Sequence, residues 1–140
     1  MTTTQIQLIK KSWKYLQQVK PEIIGDVFYS KLFADTPSLR KMFPKDMDSQ
    51  YRKLIDMLNI IITRLERLDE LSGEIAAMAT RHAGYGARPA HYKMVGRALL
   101  WTLEKGLGND FTAEVKQAWA QCYTTMADAM ICGADESVVK

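Results

Sequence analysis

Residues 71–83 read LSGEIAAMATRHA, and their apolar side chains recur with the spacing of one face of an α-helix. His82 falls on that same apolar face, in phase with Ile75 and Met78. A lone histidine in such a setting is more often a buried core residue than a metal ligand. The pattern therefore predicts a helix, and it leaves the role of His82 open between packing and ligation.

If His82 is a ligand, haem suits it better than zinc. Zinc takes several Cys or His ligands at short spacings, and neither His91 nor the two cysteines form such a set with His82. A haem iron already has four porphyrin nitrogens, so one imidazole is enough. The chain has no Cys-x-x-Cys-His motif, so any haem would be held without covalent attachment. Cys122 and Cys132 are expected to be reduced, structural thiols.

The rest of the chain also has helical periodicity and no convincing β-type alternation, which predicts an all-α fold. A length of 140 residues predicts a single domain, residues 1–140. We expect its core to span residues 4–131 and its tail, residues 133–140, to be frayed. The predicted helices begin near Thr4, Pro21, Thr36, Ser49, Leu71, Pro89 and Thr112, and the one from Ser49 is expected to reach Arg67.

One residue is unusual for a simple helical bundle. Gly25 lies in the middle of the second predicted helix, where a glycine costs about 1 kcal/mol relative to alanine. Either another helix backbone crosses very close to it, or the glycine is a tolerated irregularity. The sequence alone does not separate these two interpretations.

Composition and charge exclude several classes of function. The chain is 47% hydrophobic and 25% charged, as in ordinary folded proteins. Its net charge of +3 is spread among acidic residues without the basic stripe of a nucleic-acid surface. No apolar run approaches the roughly 20 residues of a membrane helix, and residues 1–5 lack the features of a signal peptide. We therefore expect a cytoplasmic protein with no nucleic-acid or membrane partner.

Several landmarks follow one another along the chain: Gly25, Tyr29, Thr36-Pro37, Phe43, Gln50, Leu54, His82 and His91-Tyr92. Together they resemble the single-domain bacterial globins related to flavohaemoglobins. The chain is also similar to globins of the Vitreoscilla type and of acid-loving methane oxidisers, over about residues 4–131. The resemblance implies the globin fold, with about seven helices crossing at about 50° around a non-covalent haem b, iron protoporphyrin IX.

This resemblance implies a role for each side of the haem. His82 would be the iron ligand, its other ring nitrogen donating to a backbone carbonyl of its own helix or to a neighbouring side chain. Phe43 would stack on the porphyrin. Tyr29 and Gln50 would be distal hydrogen-bond donors, and Leu54 the apolar distal residue one turn further along. The plainer alternatives are core packing for Tyr29 and Phe43, and a solvated helix end for Gln50.

On the side of His82, the chain departs from the family pattern. Flavohaemoglobins pair a tyrosine and a glutamate with the ligating histidine. Tyr92 matches the tyrosine, and Tyr123 is a second aromatic residue expected nearby. The glutamate position falls at Ala134, so the electron-donating effect of this pair is expected to be weak unless Asp135 or Glu136 replaces it.

The remaining haem contacts that the resemblance implies lie on three helices. Val95 is expected to line the haem from the helix that begins at Pro89. Lys53 and Arg81 are candidates to pair with the haem propionates. The alternative for these two residues is an ordinary solvent-exposed position on a helix.

Two functional classes follow from the resemblance. The first is reversible binding of dioxygen for storage, transport or scavenging, with two distal donors slowing its release more than tenfold. Carbon monoxide, which is less polar when bound, should gain less from the donors, and neither Gln50 nor Tyr29 is expected to ligate the ferrous iron.

The second class is nitric oxide dioxygenation, which needs a separate reductase because the chain has no Gly-rich nucleotide motif. Gas sensing is the weakest alternative. We expect a monomer or a weak homodimer.

Overall fold

The computed structural model describes residues 1–84, 86 and 88–139, with side chains at all of these except 69, 72 and 132–139. The predicted helical segments are all present, and no strand occurs in these ranges. The α-helices are α1 Thr3–Leu16, α2 Pro21–Asp35, α3 Asp48–Thr63, α4 Ser72–Gly84, α5 Pro89–Leu107 and α6 Ala113–Val139. Three 3-10 helices connect them: Pro37–Met42, Leu65–Leu71 and Gly108–Asp110.

Local sequence explains where several helices begin. Thr2 caps α1 through its side chain, which accepts from the backbone N–H of Gln5 at 3.1 Å. Pro21 and Pro89 occupy the first positions of α2 and α5, where the missing N–H of proline has no helical partner to lose. The predicted cap of α6 is also present, since Thr112 accepts from the backbone N–H of Val115 at 3.2 Å.

One helix end differs from the sequence prediction. α3 ends at Thr63 instead of near Arg67, because Arg64 and Arg67 leave helical geometry and a 3-10 helix follows. Leu65 stays buried beyond this bend, so the apolar spacing continues although the α-helix does not. α6 extends to Val139, and the fraying expected for residues 133–140 stays a prediction.

Pairwise helix packing surrounds one hydrophobic core. α4 packs on α6, α2 packs on α3 and α5, and α1 packs on α6. Two tryptophans anchor α1 to its neighbours: Trp119 donates to Ser12 Oγ at 2.8 Å, and Trp13 donates to Asn59 Oδ1 at 2.7 Å. Among the described residues, every buried side-chain nitrogen and oxygen has a hydrogen-bond partner, as a stable interior requires. None of the described helices is long and apolar enough to cross a lipid bilayer.

Gly25 lies where α2 crosses α3 closely, as one of the two interpretations of the sequence expects. A Cβ atom built on Gly25 would lie 2.5 Å from the Cβ atom of Tyr51. That neighbour is fixed to the α3 backbone, so it cannot swing aside as the end of a flexible side chain could. The glycine therefore sets how α2 and α3 approach, and with them the two residues expected on the distal side.

We expect Gly25→Ala to destabilise the protein by up to about 2 kcal/mol. Overpacking costs about 1–3 kcal/mol, and the better helix propensity of alanine offsets about 1 kcal/mol of it. Gly73→Ala is the matched control, because a Cβ at this position in α4 meets nothing within 4 Å. Urea unfolding followed by circular dichroism measures both. A Gly25→Ala protein as stable as Gly73→Ala would show that the crossing is not tight.

Candidate haem site

The crossing of α2 and α3 brings Tyr29 and Gln50 together. Tyr29 is one turn beyond Gly25 on α2, and Gln50 precedes Tyr51 at the start of α3. The Gln50 side-chain amide donates to the Tyr29 hydroxyl oxygen at 3.1 Å. The two residues expected to be distal donors thus form one hydrogen-bonded pair, with the tyrosine oxygen as acceptor.

An aromatic cluster encloses the Tyr29 ring. The ring is only 5% exposed, and four other aromatic rings lie around it at ordinary stacking or edge distances. Phe43 also contacts Phe33 directly, with 5.4 Å between ring centroids. The centroid distances from Tyr29 are 4.8 Å to Phe28, 5.8 Å to Phe33, 5.4 Å to Phe43 and 5.9 Å to Tyr51.

Burial also decides the protonation state of Tyr29. Desolvation raises the pKa of the Tyr29 hydroxyl above its ordinary value, and the nearby Tyr51 adds to the rise, while the hydrogen bond from Gln50 lowers it. The net direction is upward, so the phenol keeps its proton at neutral and mildly alkaline pH. Tyr29 therefore remains a hydrogen-bond donor over the physiological range.

His82 has the ring hydrogen bond that the sequence leads us to expect. It is half-buried on α4, and its Nδ1 atom lies 2.8 Å from the carbonyl oxygen of Met78, one turn earlier. A carbonyl can only accept, so Nδ1 carries the proton and donates. In the neutral tautomer with its proton on Nδ1, the Nε2 atom has the lone pair that a metal ligand needs.

Tyr92 and Tyr123 are joined, but not through their two hydroxyls. The Tyr123 hydroxyl donates to the backbone carbonyl of Tyr92, and its ring lies against Gly96, where a Cβ atom would approach Tyr123 Cε2 to 2.8 Å. Burial raises the pKa of both phenols. Tyr123 therefore links α6 to the α5 backbone at Tyr92. The side chains of Ala134, Asp135 and Glu136 lie outside the described residues.

The other predicted haem contacts differ in exposure. Leu54 on α3 and Val95 on α5 are half-buried and pack against the core. Lys53 and Arg81 are exposed on α3 and α4. These positions are compatible with propionate pairing and equally with ordinary surface residues.

The chemistry of these residues fits haem. Within the described residues, no group of three or more His, Cys, Asp or Glu side chains could hold a metal ion. A haem needs one protein ligand only, and His82 offers an imidazole whose tautomer is already set by Met78. Tyr29 and Gln50 supply neutral donors and Phe43 an aromatic ring. A non-covalent haem ligated by His82 would fit this donor set.

Three residues in or beside the aromatic cluster around Tyr29 were not identified from the sequence as part of the site. Phe33 is four residues after Tyr29 on α2, a spacing that already indicates a shared helix face. Tyr51 packs between Gly25 and Tyr29, and its hydroxyl donates to Asp26 at 3.3 Å. Arg40 contacts the backbone after Phe43, and no spacing rule points to such a bond.

The free cysteine that the structure describes agrees with the expectation of a structural thiol. Cys122 is buried on α6, and desolvation raises the pKa of its thiol to about 11. The thiolate is the reactive form, so this side chain is inert at neutral pH. The side chain of Cys132 lies outside the described residues.

Comparison with known proteins supports the fold and the family resemblance. The globin family model matches residues 26–130. A flavohemoprotein of Bacillus subtilis is 31% identical over 129 residues, covering 90% of this chain and 32% of that protein. A flavohemoprotein of Vibrio cholerae is 27% identical over 134 residues, covering 94% of this chain and 34% of that protein. The chain thus spans about a third of the length of these relatives.

Solved structures agree with the predicted all-α globin fold, which is thereby confirmed. A bacterial globin from Campylobacter jejuni superposes with a TM-score of 0.87 at 25% identity, covering 99% of this chain and all of that one. An engineered carbene transferase made from a candidate nitric oxide dioxygenase of Rhodothermus marinus superposes with a TM-score of 0.88. Its identity is 24%, over 99% of this chain and 96% of that one, and it bears on the fold alone.

Proposed function

Because the chain belongs to the globin family, we propose that it binds haem b through His82 and takes up dioxygen reversibly, with Tyr29 as the principal distal donor. The observation that carries this proposal is the 3.1 Å hydrogen bond from the Gln50 amide to the Tyr29 hydroxyl inside an aromatic cluster. Haem, when bound, supplies the iron at which a diatomic gas binds. The residues of the chain hold the haem and discriminate between gases.

The direction of the Gln50–Tyr29 bond assigns different tasks to the two residues. The tyrosine oxygen accepts from Gln50, so its own O–H hydrogen is left to donate to a polar gas ligand. An accepted hydrogen bond polarises the hydroxyl and strengthens its donation. Gln50 therefore acts mainly by orienting and polarising Tyr29, and the second N–H of its amide is an additional donor.

Reversible oxygenation tests this function directly. The reduced, haem-loaded protein should give one absorption spectrum under nitrogen and another in air, and should return to the first when oxygen is removed. Rapid and complete conversion to the ferric form in air would contradict an oxygen-binding role. Carbon monoxide serves as the control gas, because it gains less from the distal donors.

We expect oxygen dissociation to be nearly independent of pH across the neutral range. Tyr29 has its pKa raised above the ordinary tyrosine value, so the O–H donor is fully present from about pH 6 to about pH 9. The dissociation rate should change less than about twofold there and increase only when the raised pKa is approached. Stopped-flow measurements at several pH values check this, and an acceleration that begins well below pH 9 would show that Tyr29 is not the donor.

Nitric oxide dioxygenation is the second candidate function, favoured by the similarity to flavohemoproteins. It requires a source of electrons. Nitric oxide consumption by the protein with NADH and extract of the host cell distinguishes the two. Catalytic consumption over many turnovers supports the enzyme, whereas consumption of one equivalent supports the binding protein.

A further inference from the structure

The chain between the first 3-10 helix and α3, residues 43–47, has no regular secondary structure. It contains Phe43, the residue expected against the haem, followed by Pro44, which has no backbone N–H. The backbone N–H of Phe43 donates to Arg40 O at 3.2 Å, and that of Asp48 donates to the Asp46 side chain at 3.0 Å. In such a segment, hydrogen bonds from side chains to the backbone help to fix the path of the chain.

Arg40 supplies that support with a single guanidinium group. Its Nη1 atom donates to the carbonyl oxygens of Phe43 at 3.3 Å and Pro44 at 2.9 Å, and Nη2 donates to that of Lys45 at 3.0 Å. The planar fork of arginine carries several donors in fixed directions. Three successive carbonyls are therefore oriented around one rigid charged group.

Arg40 also bears on the aromatic cluster from its other side. Its Cζ atom lies 5.4 Å from the centroid of the Phe33 ring, within the range of a cation–π contact. The Phe33 ring in turn contacts Phe43 and Tyr29, with 5.4 Å and 5.8 Å between centroids. Phe43 is thus held through its backbone by Arg40 and through its ring by Phe33. The Tyr29 ring contacts both Phe33 and Phe43.

We propose that Arg40 is a positioning residue of the gas-binding site, fixing Phe43 and through the aromatic cluster the direction of the Tyr29 hydroxyl. This inference rests on the proposed function. Lysine is not equivalent here, because its ammonium is a point charge on a flexible stem and cannot present the fork that orients these carbonyls. Without this support, the Tyr29 O–H takes a wider range of directions, so its hydrogen bond to the gas weakens. A polar gas ligand loses more from this than a less polar one.

The test compares Arg40→Met and Arg40→Lys with Lys41→Met, a loss of the neighbouring exposed charge on the same 3-10 helix. Oxygen and carbon monoxide dissociation are measured on the reduced, haem-loaded proteins. We expect Arg40→Met to speed oxygen dissociation about three- to tenfold, with carbon monoxide dissociation changed less than about twofold. Arg40→Lys should fall between Arg40→Met and wild type, and Lys41→Met should match wild type.

Amide hydrogen exchange of the carbon monoxide complex gives a second readout that does not depend on gas kinetics. Exchange at Phe43 and Asp48 should accelerate in Arg40→Met and stay unchanged in Lys41→Met. Equal changes in oxygen and carbon monoxide dissociation, or no change in either, would overturn the proposal and leave Arg40 as a support of the fold. A wild-type protein that forms no Soret band would instead remove the proposed function, and this is visible before any variant is compared.

Discussion

Replacing Tyr29 with Phe should speed dioxygen dissociation from the haem-loaded protein by about ten- to a hundredfold. The variant removes one oxygen atom and keeps the ring that packs against Phe28, Phe33 and Phe43. A hydrogen bond in a dry pocket contributes about 1–3 kcal/mol, and about 1.4 kcal/mol corresponds to a factor of ten. Carbon monoxide dissociation should change less than about threefold. Stopped-flow displacement of each gas measures both rates.

Tyr51→Phe is the matched control for this prediction. It removes the same atom from a tyrosine whose ring lies 5.9 Å from that of Tyr29, but its hydroxyl donates to Asp26. We expect oxygen dissociation within about twofold of wild type in this variant. If Tyr29→Phe also stays within twofold, or if both variants accelerate equally, Tyr29 is not the donor.

A double-mutant cycle with Gln50→Leu separates direct from indirect donation. Because Gln50 donates to the Tyr29 oxygen, most of its effect should pass through Tyr29. Gln50→Leu should then matter much less in the Tyr29→Phe background than in wild type, giving a coupling of about 0.5–3 kcal/mol. Strictly additive effects would indicate that Gln50 donates to the gas independently.

Replacing His82 with Gly should weaken haem binding by more than about a hundredfold, since loss of even an outer-shell partner of a metal ligand typically costs ten- to a hundredfold. The reason is the loss of the imidazole whose tautomer is set by the hydrogen bond to Met78. Added imidazole should restore a Soret band by occupying the space of the missing ring. Transfer of haem to an acceptor apoprotein measures the loss rate.

His91→Gln is the control, since it changes the only other histidine of the chain. His91 accepts from the backbone N–H of Arg88 at 3.0 Å and caps the start of α5. We expect haem retention close to that of wild type. Haem loss in His91→Gln together with retention in His82→Gly would reverse the assignment of the ligand.

The helices were largely predictable because their signals are local. Pro21, Pro89 and Thr112 mark helix starts through steric and capping effects that act within one turn, and the structure has all three. The end of α3 was not predictable in the same way. Leu65 keeps the apolar spacing after the chain has passed into a 3-10 helix. The spacing of apolar residues indicates which side chains are buried, but it does not give the backbone angles.

Part of the candidate site was also predictable, and part was not. The resemblance placed Tyr29, Phe43 and Gln50 in order, and the structure brings these three together. It did not identify Arg40, because the acceptors of this residue are backbone carbonyls, which are chemically the same at every position of the sequence. Contacts between a side chain and the carbonyls of a loop follow from the path of that loop, and the path is set only once the helices have packed.

Titration of the purified, haem-free protein with haem, followed at the Soret band, tests the central claim most directly. We predict saturation at one haem per chain. On reduction the spectrum should be that of a five-coordinate ferrous haem, since glutamine is a weak iron ligand and the Tyr29 phenol stays protonated. His82→Gly should saturate only when imidazole is added. A wild-type protein that gives no Soret band, or a His82→Gly protein that titrates like wild type without imidazole, would contradict the account.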